Sequence, residues 1–277
     1  MKRTILSVAV LVACASQASA SLTARYLLEG DKTFAEDITC AVASNFGIYA
    51  HGSGNVGTFT GQTISVDVSE AAGLATGVYA GKGGKIVIGD RDKSVVTIRT
   101  KDTGVVKDSL SYGLWVNGQE NLGGQMEVKG KSVTIHAEGE GQTDVRAIHV
   151  ATNTLKPSQR SSLLIDADTV SITADGEGAR AIVAMSTGVV EVKGKATIAA
   201  DNARGDAKVL VNPEGKYSTV INGNVNFSYD APTSKTPVDA TVILNLVGPE
   251  SSWTGNTVVS WNGKPTSVDE YLSVTGM

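Results

Sequence analysis

The stretch Met126-Glu127-Val128-Lys129-Gly130-Lys131-Ser132-Val133-Thr134-Ile135-His136 alternates apolar and polar residues on both sides of a Gly-Lys pair. Alternation with period two buries one set of side chains and leaves the other in water, as in a β-strand. The same form returns at Leu163 to Thr173 and at Val189 to Ala199. Its second half recurs as Ile64 to Val68, Val96 to Arg99, Val133 to His136, Val170 to Thr173, Ala196 to Ala199, Val225 to Ser228 and Val259 to Asn262. Two inward columns follow. One runs Ile64, Val96, Val133, Val170, Ala196, Val225, Val259; the other runs Val66, Ile98, Ile135, Ile172, Ile198, Phe227, Trp261. The outward column between them is Ser65, Thr97, Thr134, Ser171, Thr197, Asn226, Ser260. Stacked hydroxyls stabilise such a column by about 0.2–1 kcal/mol per pair, so packing accounts for it without a function.

Working outward, a small residue followed by a short apolar strand starts each unit. The starts are Gly47, Gly77, Gly113, Ala147, Ala181, Lys208 and Thr241, at spacings of 30, 36, 34, 34, 27 and 33 residues. A middle strand lies at Gly57 to Thr60, Lys85 to Ile88, Met126 to Val128, Leu163 to Ile165, Val189 to Val192 and Tyr217 to Ile221. Turn pairs such as Gly89-Asp90, Gly130-Lys131, Asp166-Ala167 and Gly194-Lys195 follow it. Self-similarity at this period is the mark of a solenoid. The reading is all-β: a parallel β-helix with three short strands per coil and about seven coils. Residues 47–277 are its repeats. Residues 21–46 fall outside them and are expected to form an N-terminal cap, with Leu27, Leu28, Phe34 and Ile38 covering the first coil.

Composition agrees. The 277 residues include 31 Gly, and only 5% are aromatic and 19% charged, which suits many short strands and tight turns. A net charge of −4 with no basic cluster argues against a nucleic-acid partner. Residues 1–20 read as a signal peptide. Lys2 and Arg3 precede the apolar run Ile5 to Ala13, and Ala18-Ser19-Ala20 supplies the small residues that a signal peptidase reads, with cleavage expected after Ala20. Leu11-Val12-Ala13-Cys14 competes as a lipobox that would anchor the chain through Cys14. With Cys14 removed, Cys40 stands alone and forms no internal disulfide.

A search for chemistry yields no catalytic, cofactor or metal assignment. His51, His136 and His149 lack metal-pair spacing, and no cysteine cluster accompanies them. Asp166 and Asp168 could serve glycoside cleavage only with a second acidic site on a neighbouring coil; a solvated turn is the simpler reading. Gly130-Lys131-Ser132 fails as a phosphate loop because Gln125 stands where Gly is needed. Two binding candidates remain. Arg204-Gly205-Asp206 is a receptor-binding candidate, although three residues also match by composition alone. Tyr49, Tyr79, Trp115 and His149, followed by Val183, Leu210 and Ile243, form an outward file that could be a ligand platform. Stacking within the sheet is the plainer explanation.

The export signal, the repeated strands and Leu244-Asn-Leu-Val-Gly-Pro-Glu-Ser-Ser-Trp253-Thr-Gly-Asn256 resemble the pertactin-like passenger domains of Gram-negative autotransporters. The likeness covers residues 47 to 277. It implies a right-handed β-helix, exported through the inner membrane, displayed at the cell surface or outer membrane or secreted, and acting as an adhesin on a host or neighbouring cell rather than as an enzyme. It also implies outer-membrane secretion machinery or a β-barrel encoded beyond Met277, since no capping element is evident after Trp261. Alternatives are a β-helix carbohydrate-active enzyme and a surface lipoprotein scaffold anchored through Cys14.

Overall fold

The computed structural model describes residues 20–22, 26–43, 45–141, 143–152, 159–176, 179–186 and 188–201, and then the short strands 210–211, 218–221, 225–229, 243–244, 252–253, 258–261 and 264–266. The described residues form an all-β structure of parallel, curled sheets without α-helices.

The strands fall into three columns. The first holds Tyr26–Leu28, Asn45–His51, Leu74–Gly81, Leu110–Asn117, Asp144–Thr152 and Arg180–Ser186, each parallel to the next. The second begins Asp31–Phe34, Val56–Phe59 and Lys85–Ile88. The third begins Ala20–Leu22, Ile38–Val42, Thr63–Ala71 and Val95–Asp102. From there the second and third columns share the long strands Gln125–Gly139, Ser162–Asp175 and Val189–Asp201. Successive passes of the chain therefore visit the columns in the same order.

The alternating residues decide which side is inside. Ile64, Val66, Val96, Ile98, Val133, Ile135, Ile172 and Ile198 are all fully buried, and Val170 nearly so. Between them Ser65, Thr97, Thr134 and Ser171 stand in one register and stay partly exposed. The core is continuous from Tyr26 to Ile198. Each buried aliphatic side chain contributes about 1.5–3 kcal/mol before conformational entropy is subtracted.

Four features differ from the sequence reading. Residues 26–42 pair in all three columns, so this segment continues the strand pattern; within it Leu28 and Ile38 are buried while Leu27 is 49% exposed. Gly130-Lys131 and Asp166-Ala167 are not turns. Gly130 pairs with Ala167 inside the ladder, and a β-carbon on Gly130 would lie 2.5 Å from the Ser94 carbonyl oxygen, so the strand passes the corner without breaking. Gly194-Lys195 likewise lies within a continuous strand. Gly89 does turn, at a φ of 85°. Third, Phe227 pairs with Val259 and Tyr229 with Trp261, two residues away from the expected register. A slip of two keeps the same residues on the same face, so alternation alone cannot detect it. Finally, Lys264–Thr266 turns back antiparallel on Val258–Trp261 and covers that edge.

Candidate functional site

On the first column the chain places Tyr49, Tyr79, Trp115, His149 and Val183 in one register. The four sequence-predicted ring residues are thus brought together, but not as an open platform. Tyr79 is 4% and His149 7% exposed, while Tyr49 and Trp115 are half-buried. Tyr49 and Tyr79 stack at 4.9 Å with planes 12° apart, which occupies the ring faces between them. Phe46 packs on both. Trp115 is set differently: its plane lies 84° from Tyr79, 80° from Tyr112 and 71° from His149.

A second file runs three residues earlier in each strand: Phe46, Thr76, Tyr112, Arg146, Arg180. It meets the first because Gly113 and Leu114 are both buried, which breaks the alternation and brings Tyr112 to the side of Trp115. Asp144 is the centre of this group. Its Oδ2 accepts the Tyr112 hydroxyl at 2.7 Å and pairs with Arg146 Nη2 at 2.7 Å. Its Oδ1 accepts Arg146 Nε at 3.1 Å and Arg180 Nη2. Arg146 also donates from Nη1 to His149 Nδ1 at 2.6 Å and lies over the Tyr112 ring. A guanidinium only donates, so His149 carries its proton on Nε2.

The electrostatics follow from burial. Burial and the adjacent Arg146 charge push His149 down to about 3, so it is neutral at physiological pH. Burial alone would raise Asp144, but the charges of Arg146 and Arg180 and the hydrogen bonds from Arg146 and Tyr112 hold it below the ordinary carboxylate range. Tyr112 is raised, chiefly by burial. The Nδ1 lone pair of His149 is occupied by Arg146, which leaves it badly placed to accept a proton from a substrate.

The carboxylates Asp166 and Asp168 are both engaged by Arg91, at 3.0 Å and 2.7 Å. Arg91 comes from the turn after Gly89, and its third nitrogen, Nη1, donates to the Gly130 carbonyl at 3.4 Å. Asp102 is fully buried and accepts Gly73 N at 2.8 Å, Gly104 N at 2.9 Å and the Thr143 hydroxyl at 3.3 Å, tying three turns together. Among the described residues no group of three or more metal-ligating side chains occurs. Arg204, Gly205, Asp206, Cys14 and Ala18 lie outside the described residues, and Ala20 begins the strand Ala20–Leu22.

Tyr112, Asp144, Arg146 and Arg180 were not candidates from sequence. For Tyr112, Arg146 and Arg180 the signal is present as a column three residues ahead of the aromatic file, and Asp144 lies two residues before Arg146 on the same strand. Compared with known proteins, the chain matches no protein family, no curated protein and no solved structure.

Proposed function

We propose that the chain is an exported, surface-displayed adhesion module: a right-handed parallel β-helix of about seven coils, of the autotransporter passenger kind, that contacts a ligand on a host or neighbouring cell and catalyses no reaction. What supports this reading above all is the parallel, in-register stacking of strands from one pass to the next, held from Tyr26 to Asp201. Parallel strands joined by crossovers in one sheet are almost always connected right-handedly, which is the basis for the proposed hand. Each pass adds about 4.8 Å of length, so the fold produces a long lateral surface suited to adhesion. The engagement of Asp166 and Asp168 by Arg91 supports the non-enzymatic reading, because a carboxylate pair clamped by a guanidinium is not free to act as acid and nucleophile.

Residues 1–20 act as the export signal in this proposal. Expression of the intact open reading frame in a Gram-negative host, with N-terminal sequencing of the exported protein, tests it. The expected first residue is Ser21. A lipid-modified Cys14 as first residue would replace soluble export by membrane anchoring. Retention of an uncleaved chain in the cytoplasm would overturn the export reading.

A further inference from the structure

We propose that His149 and Arg146 form an acid-released latch: a proton taken up by His149 expels Arg146 and opens the outer face of the strands Leu110–Asn117, Asp144–Thr152 and Arg180–Ser186, while the core beneath stays closed. The latch is one donor on one lone pair. Arg146 Nη1 donates to His149 Nδ1 at 2.6 Å, so the neutral ring carries its proton on Nε2 and Nδ1 is its basic site. A proton on Nδ1 turns that acceptor into a donor and sets two cations against each other. The ring can therefore take a proton only when Arg146 leaves Nδ1. That block rests on Nη1 alone, whatever the rest of the guanidinium touches.

Parting these two groups loosens the whole outer layer. Tyr112 stacks on His149 at 5.1 Å with planes 29° apart, Arg146 lies over the Tyr112 ring, and the Tyr112 hydroxyl donates to Asp144. Asp144 also holds Arg146 and, from the next strand, Arg180. Three successive strands are thus tied on their outer side through one cluster. The charged and titratable groups around His149 are Asp144 and Arg146 on its own strand, Tyr112 on the strand before and Arg180 on the strand after. Burial opposes a charged ring most, Arg146 and Arg180 add to it, and Asp144 favours the charge. The core side is different. There the strand packs against Gln125–Gly139 and Ser162–Asp175, whose buried residues are all apolar. Ile148 and Val150, on either side of His149 in sequence, are fully buried. The proton is therefore felt on the outer face first.

The latch is a property of the purified chain and does not depend on export or adhesion, so either reading can fail alone. Hydrogen–deuterium exchange of the full chain, read peptide by peptide from about pH 7 to about pH 4 and divided by the intrinsic exchange rate, tests it. His149 takes a proton near 6.5 when free and near 3 in the closed cluster. The opening equilibrium should therefore grow about 70-fold between pH 6 and pH 4. The rise is expected in residues 110–117, 144–152 and 180–186. Thr63–Ala71, on an earlier pass of the third column, should change by less than about twofold. His149→Gln, which keeps an acceptor for Arg146 and takes up no proton, should hold all four segments level. Flat exchange of residues 144–152 in the unaltered chain would overturn the latch. An equal rise in Thr63–Ala71 would overturn it in favour of global unfolding. A rise that persists in His149→Gln would overturn the assignment to His149. If that variant does not fold, a rise in the unaltered chain confined to below about pH 4.5 would do the same, since a carboxylate would then carry it.

Discussion

The backbone of Gly113 passes so close to the side chain of Ile135 that a β-carbon on Gly113 would lie 2.6 Å from Ile135 Cγ2 and 2.6 Å from the Ala147 carbonyl oxygen. The first and third columns therefore touch through the small-residue file Gly47, Gly77, Gly113, where every added β-carbon would meet a Val or Ile of the third column. Gly113→Ala should lower stability by about 1–3 kcal/mol, because the backbone oxygen cannot yield as a side-chain methyl can. Chemical denaturation would measure it, and Ile135→Val in the same chain should recover only part of the loss.

Inside and outside differ sharply along one strand. Ile135 is fully buried, whereas its neighbour Thr134 belongs to the partly exposed hydroxyl column. Ile135→Asp places an unpaired charge in the core and should abolish the folded state. Thr134→Asp should cost less than about 1 kcal/mol. Circular dichroism of the two purified variants decides it; equal behaviour would mean that the inward assignment is wrong.

Acid sensitivity should trace to His149. In the unfolded chain it takes a proton near 6.5, and in the folded protein only near 3. Between those values the unfolded state binds the extra proton, so stability rises with pH and is lost on acidification. The loss is at most about 1.4 kcal/mol per pH unit for this one group. His149→Gln keeps an acceptor for Arg146 and should flatten the slope between pH 6.5 and 3. Asp144 acts lower: its depressed folded value gives stability that is present above the ordinary carboxylate range and disappears as pH falls below it.

Cys40 should be chemically silent in the native protein. Burial, with a smaller effect from Asp67, pushes its thiol up to about 11. At pH 8 about one thiol in a thousand is then ionised, and only the thiolate reacts. Iodoacetamide should leave Cys40 unmodified in a Cys14→Ser chain and label it fully after denaturation, as mass spectrometry would show.

Much of this was legible from residue order. Period-two alternation fixed the inward residues Val133 and Ile135, and the small-residue starts aligned Ile48, Val78, Leu114, Ile148 and Ile182 in their observed register. The Arg146–Asp144–Arg180 group was hidden because its residues belong to two passes of the chain and lie three residues (Arg146, Arg180) or five residues (Asp144) ahead of the aromatic file. Strict alternation would send Tyr112 and Trp115 to opposite faces; two consecutive inward residues, Gly113 and Leu114, reverse that parity. The role of Arg91 was equally hidden, since its partners Asp166 and Asp168 lie about 75 residues along the chain.

The central claim is that successive passes stack in register, one strand spacing apart. Spin labels on the outward hydroxyl column test it directly, since Ser65, Thr97, Thr134, Ser171 and Thr197 are paired in sequence. Pulsed dipolar spectroscopy should give backbone separations near 14 Å for Ser65 with Ser171 and near 19 Å for Ser65 with Thr197, rising by about 4.8 Å per pass. Separations that do not grow with the number of passes would contradict the stacking and the functional proposals built on it.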